Sequence, residues 1–233
     1  MKPALIRQHG ATGPPSILGE WLRDRGIPAV IHPAYLGFPP PPPEQFSFVA
    51  SLGSAHSPKD LDEPAVADEL RFIERTLDAE VPVLGLCFGG QALSAALGGT
   101  VEPAERPELG WHEVETRAPD EIPPGPWLQW HYDRFTFPDG AEELAVSATG
   151  AQAFRYGRSL GLQFHPESRI EQAAVWAAKD AEKLARHGVD DGLALLEAGR
   201  RHQDAAIEAA YKLFDSFWAR ATGESPVESE VAR

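Results

Sequence analysis

Cys87 is the chain's one cysteine, and it stands in the frame Gly85-Leu86-Cys87-Phe88-Gly89-Gly90-Gln91. A glycine two residues to either side lets a strand turn sharply into a helix and leaves the central side chain projecting above the sheet edge, the geometry of a nucleophile elbow. A cysteine there reads as a thiol nucleophile. By itself a free cysteine also reads as a small buried hydrophobe, so its partners decide. His165-Pro166-Glu167 offers them. One residue separates the histidine from the carboxylate, so on an extended segment both side chains leave the same face, and Pro166 biases His165 away from helical dihedrals. A cysteine on an elbow, a histidine to take and return its proton, and a carboxylate to orient the imidazole make a Cys-His-Glu triad from Cys87, His165 and Glu167. Attack on an amide carbonyl creates an oxyanion that needs preorganised donors. The backbone N–H of Phe88, just after the nucleophile, is the expected first donor, and the turn at Gly53-Ser54 the expected second.

These groups need a scaffold that delivers strand ends to one edge. Pro3 to Arg7 reads as a first strand, Ser16 to Arg25 as a helix stopped by Gly26, Ala29 to Ile31 as a second strand and Phe46 to Ser51 as a third. The five prolines Pro39 to Pro43 cannot form a helix or a central strand and read as a stiff polyproline connector. Asp60 to Ala79 carries Val66, Leu70, Ile73 and Leu77 at helical spacing, ahead of the strand Val81 to Leu86 and the small-residue helix Gln91 to Leu97. Alternating strands and helices predict an α/β fold with an open, mainly parallel sheet. From Thr100 to Gln163 short apolar stretches broken by Pro and Gly read as strands and hairpins of the same sheet or its edge. Leu160 to Phe164 is a last strand, and Glu171 to Arg186 and Arg201 to Arg220 read as helices. One domain over 1–222 is expected, with 223–233 as a flexible tail.

With 233 residues, 42% of them hydrophobic, the chain can bury a sizeable core. A formal net charge of −14 without clustered Lys and Arg argues against nucleic acid or an anionic membrane as partner. A single cysteine excludes an internal disulfide and fits a reducing, cytoplasmic setting. No apolar run has the length of a membrane span or of a signal-peptide core, and no P-loop or other nucleotide-binding frame is present.

Gly85 to Gln91, followed by Ala92 to Gly99 and later by Gly161-Leu162-Gln163-Phe164-His165-Pro166-Glu167, resembles the class I glutamine amidotransferase family over roughly Ala4 to Ser168. Trp130-His131-Tyr132-Asp133 is similar to a tryptophan or serine, histidine, glycine, aspartate segment of its GMP-synthase-like branch, with Tyr132 in place of glycine. The resemblance implies a flavodoxin-like sheet with a helical C-terminus, and hydrolysis of glutamine to glutamate and ammonia through a γ-glutamyl thioester. It makes Cys87 the nucleophile, His165 the acid and base, Glu167 its orienter and Gln91 a holder of glutamine. Gly53-Ser54-Ala55 stands where the family carries glycine-glycine-proline or glycine-serine-proline, so the oxyanion loop lacks its usual proline. His131 and Asp133 border the pocket, either contacting the substrate's α-amino or α-carboxylate end or packing beside Trp130. No cofactor is implied. A metal held by His131, Asp133, His165 and Glu167 fits by ligand type but competes with the triad, and none is expected.

The substrate is then a small molecule, glutamine or another γ-glutamyl compound. In one reading ammonia passes to a separate synthetase subunit; in the other, a stand-alone enzyme hydrolyses γ-glutamyl peptides or amides. A third class is an inactive regulatory or binding module. Trp176 reads as core or rim packing, and His9 and His32 have no partner that the sequence identifies.

Overall fold

The computed structural model describes residues 1–189 and 191–225. Its first half follows the alternation read from the sequence: β1 (Ala4–Gln8), α1 (Ser16–Asp24), β2 (Ala29–Pro33), β3 (Val49–Ser51), α2 (Pro64–Asp78), β4 (Val83–Leu86) and α3 (Phe88–Ala96). The strands are short, and β1, β3 and β4 are apolar and buried between helices whose apolar residues recur every three or four positions, while the edge strand β2 is largely exposed. The second half contains β5 (Val101–His112), β6 (Glu115–Thr116), β7 (Trp127–Phe135), β8 (Glu142–Ser147), β9 (Gly150–Tyr156) and β10 (Ser159–Leu162). The helices α4 (Ile170–Lys179), α5 (Ala181–Arg186), α6 (Gly192–Arg200) and α7 (Gln203–Thr222) follow.

The main sheet has the order β2-β1-β3-β4-β10-β9-β8-β6. Its first five strands pair in parallel, and β9, β8 and β6 extend it antiparallel. The parallel part has the strand order of a flavodoxin-like doubly wound sheet, in which ligands bind outside the carboxyl ends of the strands. Side chains alternate between the two faces of each strand. On β4, Leu84 and Leu86 join the core formed with α1 and α7, while Val83 joins the core formed with α2 and α3. On the α7 side Trp21 packs against Trp218 and Phe48 against Phe217, and the Trp21 indole N–H and the Arg25 guanidinium both bond Asp215 of α7.

The structure departs from the sequence expectations in four places. β5 and β7 form a separate two-stranded ribbon rather than part of the main sheet or its edge. Period-2 patterning identifies strands without naming their partner, so only long-range pairing settles this. The helix expected over Glu171 to Arg186 is broken at Asp180 into α4 and α5. A further helix, α6, had no clear period to announce it. The helix expected from Asp60 starts at Pro64, where proline suits the first turn because its missing N–H would have no helical acceptor. Of the expected tail, Gly223 closes α7 in the left-handed conformation at φ 77°, and 226–233 lie outside the described residues. No described helix is long and apolar enough to cross a membrane.

Candidate active site

Cys87 sits between β4 and α3 at φ 51° and ψ −106°, a backbone region that side-chain-bearing residues avoid and that costs on the order of 1–3 kcal/mol. The turn is possible because its neighbours are glycines. A Cβ on Gly85 would stand 2.5 Å from the Gly89 carbonyl oxygen, and one on Gly90 would stand 2.2 Å from that of Leu162. β4, the elbow and α3 are therefore pressed together with no room for side chains, and Cys87 is driven up at the carboxyl end of the sheet.

The neighbouring strands bring the other groups to the same edge. β10 runs beside β4 and leads into His165, whose Nδ1 donates to Glu167 Oε1 at 2.8 Å. Ser168 Oγ donates to the same oxygen at 3.2 Å, while Glu167 Oε2 is buried without a hydrogen bond. Burial pushes the His165 imidazole towards neutrality, yet the Glu167 carboxylate and the Cys87 sulfur outweigh it and lift its pKa to about 10. His165 thus holds its proton at neutral pH. β3, on the other side of β4, leads into Gly53, where an added Cβ would lie 2.9 Å from His165 Cε1 and 3.9 Å from Cys87 Cβ. The N–H groups of Gly53 and Ser54 have no acceptor among the described residues, and that of Phe88 opens α3, where it has no intrahelical acceptor. Cys87, His165, Glu167, Phe88, Gly53 and Ser54 all line one cavity of about 450 Å³.

Gln91 and Asp133 line it as well, and the Gln91 side-chain amide donates to the Asp133 carbonyl at 3.1 Å and to Gln163 Oε1 at 3.2 Å. Gln163 in turn points its amide nitrogen at Cys87 Sγ from 3.9 Å. The Asp133 carboxylate holds Lys59 Nζ at 2.9 Å. His131 also borders the cavity, but both its ring nitrogens are engaged by protein, Nδ1 at the Asp133 carbonyl and Nε2 at Glu108 Oε2. Burial raises the Glu108 pKa, but His131 and nearby hydroxyls overcome this and hold it near about 2. His131 therefore has the contacts of a support for β7. Among the described residues no three His, Cys, Asp or Glu side chains converge as metal ligands.

Several site residues escaped sequence reasoning. Trp176 of α4 packs its ring 4.8 Å from that of His165 and anchors its indole N–H on the Thr12 carbonyl. His9, at the end of β1, lines the cavity, lies edge-on to Phe88 at 5.0 Å and bonds Ser51 Oγ at 3.1 Å. Behind it Glu69 accepts from Ser51 and Arg7, and Arg7 bonds His32 Nδ1. A charged residue among the inward positions Val66, Phe72, Ile73 and Thr76 of α2 was the available signal for Glu69. Lys179 and Lys183 also line the cavity.

A family model described as "Glutamine amidotransferase class-I" matches residues 53–180. The chain belongs to the class-I glutamine amidotransferase family. Among curated relatives it is 42% identical over 99 residues to a GMP synthase [glutamine-hydrolyzing] of Thermomicrobium roseum, covering 39% of this chain and 19% of that one. It is 33% identical over 198 residues to the Brucella melitensis biotype 1 enzyme of the same name, covering 77% of this chain and 36% of that one. It thus spans between a fifth and about a third of these relatives. A solved glutamine amidotransferase from Thermotoga maritima superposes with a TM-score of 0.83 at 26% identity, covering 93% of this chain and 97% of that one. A glutamine amido transferase from Methylobacillus flagellatus, at 23% identity and a TM-score of 0.85, covers 100% of this chain and 98% of that one and shares the fold. The protein is accordingly an enzyme of the glutamine amidotransferase class.

Proposed function

We propose that this amidotransferase cleaves a γ-glutamyl amide through a thioester on Cys87, with His165 as acid and base, Glu167 as its orienter and 1–222 as one catalytic domain. The observation that carries the reading is the meeting of three strand ends: the strained Cys87 elbow, the His165–Glu167 pair and the Gly53 loop share one cavity. Cys87 sulfur attacks the γ-carbonyl carbon, and the oxyanion is met by the Phe88 N–H and by the Gly53-Ser54 turn. As the C–N bond breaks, His165 gives its proton to the leaving nitrogen. Water then attacks the thioester, His165 takes the water's proton, and as the C–S bond breaks glutamate departs, leaving the Cys87 sulfur beside a protonated His165 once more. Gln91 and Asp133 border the glutamyl end, and His131 supports them from behind. The thiol chemistry suits a reducing, cytoplasmic compartment.

Glutamine, releasing ammonia to a separate synthetase chain, is the reading that the GMP synthase relatives favour. The second reading, hydrolysis of γ-glutamyl compounds with a larger leaving amine, is favoured by the cavity. Its volume falls within the roughly 300–1,000 Å³ range of clefts that hold drug-sized ligands, far larger than glutamine. Glutamate release by the purified protein, measured with glutamine and with substituted γ-glutamyl amides and with Cys87→Ala as blank, tests both. Turnover that survives in Cys87→Ala would overturn the mechanism.

A further inference from the structure

The side of the cavity that receives the leaving group follows from the proton. His165 must protonate the departing nitrogen, so the leaving amine lies beside His165, and Trp176 of α4 is the wall packed on that ring. One turn further along this wall is Lys179, and beyond the break at Asp180 comes Lys183. Both lysines line the same cavity as Cys87 and His165.

The chain has five lysines. Lys2 bonds the Glu44 carbonyl, Lys59 the Asp133 carboxylate and Lys212 that of Glu208. Lys179 and Lys183 have neither a carboxylate nor a hydrogen-bond acceptor among the described residues. Two ammonium groups without a direct ion pair in the wall of one cavity stand out in a chain of formal net charge −14. Two carboxylates of the same lining are turned to other donors: Asp180 Oδ2 accepts the Trp130 indole N–H at 3.0 Å, and Asp60 Oδ2 accepts the Ser57 N–H at 2.8 Å.

Lys183 is also held in place. Its Nζ lies 3.4 Å from the centroid of the Tyr132 ring, a cation–π contact that fixes the ammonium while leaving N–H donors to offer. The ring itself packs against the apolar cluster of Leu109, Trp130, Ala177 and Leu184. Tyr132 stands where the resembled segment has glycine, and glycine would leave Lys183 without this seat.

We infer that the α4–α5 corner is a subsite for an acidic leaving amine, so that the compounds cleaved are γ-glutamyl derivatives of amino acids whose carboxylate is held by Lys183 and Lys179. This rests on the second reading of the site given above. The step is hydrolytic: the amide C–N bond breaks, His165 supplies the proton to nitrogen, water supplies the oxygen to carbon, and glutamate and a free amino acid leave.

The test compares γ-glutamylglycine, whose leaving group carries a carboxylate, with γ-glutamylethylamide, which is similar in size and neutral. In the wild-type protein kcat/KM for the acidic compound should exceed that for the neutral one by about tenfold or more, the scale of a hydrogen bond to a charged group, and the ratio should shrink with added salt. Lys183→Gln should bring the ratio close to one, and Lys183→Arg should keep most of it. Equal rates for the two compounds in wild type, or a ratio untouched by Lys183→Gln, would overturn the subsite. Hydrolysis of glutamine with neither larger compound accepted would overturn it and leave the glutamine reading standing. Calorimetric binding of the same two compounds to the Cys87→Ala protein decides the matter independently of turnover: tighter binding of γ-glutamylglycine, lost in the Cys87→Ala, Lys183→Gln double variant, supports the subsite. If no γ-glutamyl compound, glutamine included, either binds or acylates Cys87, the underlying γ-glutamyl reading fails with it.

Discussion

Gly89 of α3 and Ser51 of β3 meet backbone to backbone: a Cβ built on Gly89 would fall 2.0 Å from the Ser51 carbonyl oxygen. This contact sets the elbow helix against the strand that leads to Gly53, and so couples the nucleophile to the proposed oxyanion loop. Gly89→Ala must push α3 off β3, an overpacking that typically costs about 1–3 kcal/mol. A lowered Tm, together with loss of γ-glutamyl hydrolysis larger than the stability change alone would produce, is the expected result. A Gly89→Ala protein as stable and active as wild type would show that the elbow has slack.

Cys87 carries backbone strain at the point where it lines the cavity. Glycine tolerates φ 51° and ψ −106° far better than any residue with a Cβ. Cys87→Gly is therefore expected to melt above Cys87→Ala, by an amount on the order of 1 kcal/mol, although both lose all turnover. Parallel thermal melts of the two variants provide the check, and equal melting points would mean that the turn relaxes without the side chain.

Glu167 holds the proton on His165. Replacing the carboxylate by an amide in Glu167→Gln removes the largest influence that raises the imidazole pKa, leaving the Cys87 sulfur alone to oppose burial. The His165 Cε1 proton resonance should titrate near about 10 in wild type and well below that in Glu167→Gln. For stability the sign follows from a raised pKa. The His165–Glu167 contribution is complete below the ordinary histidine value of 6.5 and is lost as the pH rises through about 10. Glu167→Gln should lower kcat with little change in KM, as expected when a group orients the base rather than the substrate. An unchanged histidine titration would remove Glu167 from this role.

Glu69 predicts acid sensitivity. Burial pushes its pKa up, but His9, Arg7 and Ser51 outweigh burial and hold it near about 2 against an ordinary 4.5. A depressed carboxylate stabilises the fold above its unfolded value, and that stability drains away as the pH falls from 4.5 through about 2. The difference corresponds to about 3 kcal/mol. Chemical denaturation between pH 7 and pH 2 should show this loss in wild type. Glu69→Gln should be less stable at pH 7, because it leaves Arg7 buried and uncompensated, and should show a flatter dependence on pH. Equal slopes for the two proteins would contradict the assignment.

The triad residues were legible because their chemistry is local in sequence. Glycines flanking Cys87 announce a turn that only small residues permit, and His165-Pro166-Glu167 places base and orienter on one face through strand geometry alone. The parallel α/β sheet was legible for the same reason, since each strand and helix declares itself through its own period. What depends on contacts between distant segments was decided only by the tertiary structure. The strands β5 and β7 pair with each other rather than with the main sheet. His9 finds Ser51 and Glu69 only once β1, β3 and α2 are packed. Trp176 reaches His165 only because α4 folds back over the strand ends, and Lys183 meets Tyr132 across a long loop of chain. Periodicity reports which face of an element is buried, not what it is buried against, so the sequence by itself determined the reacting groups and their scaffold, while the walls of the cavity that select a substrate came from the packing of elements far apart in the chain.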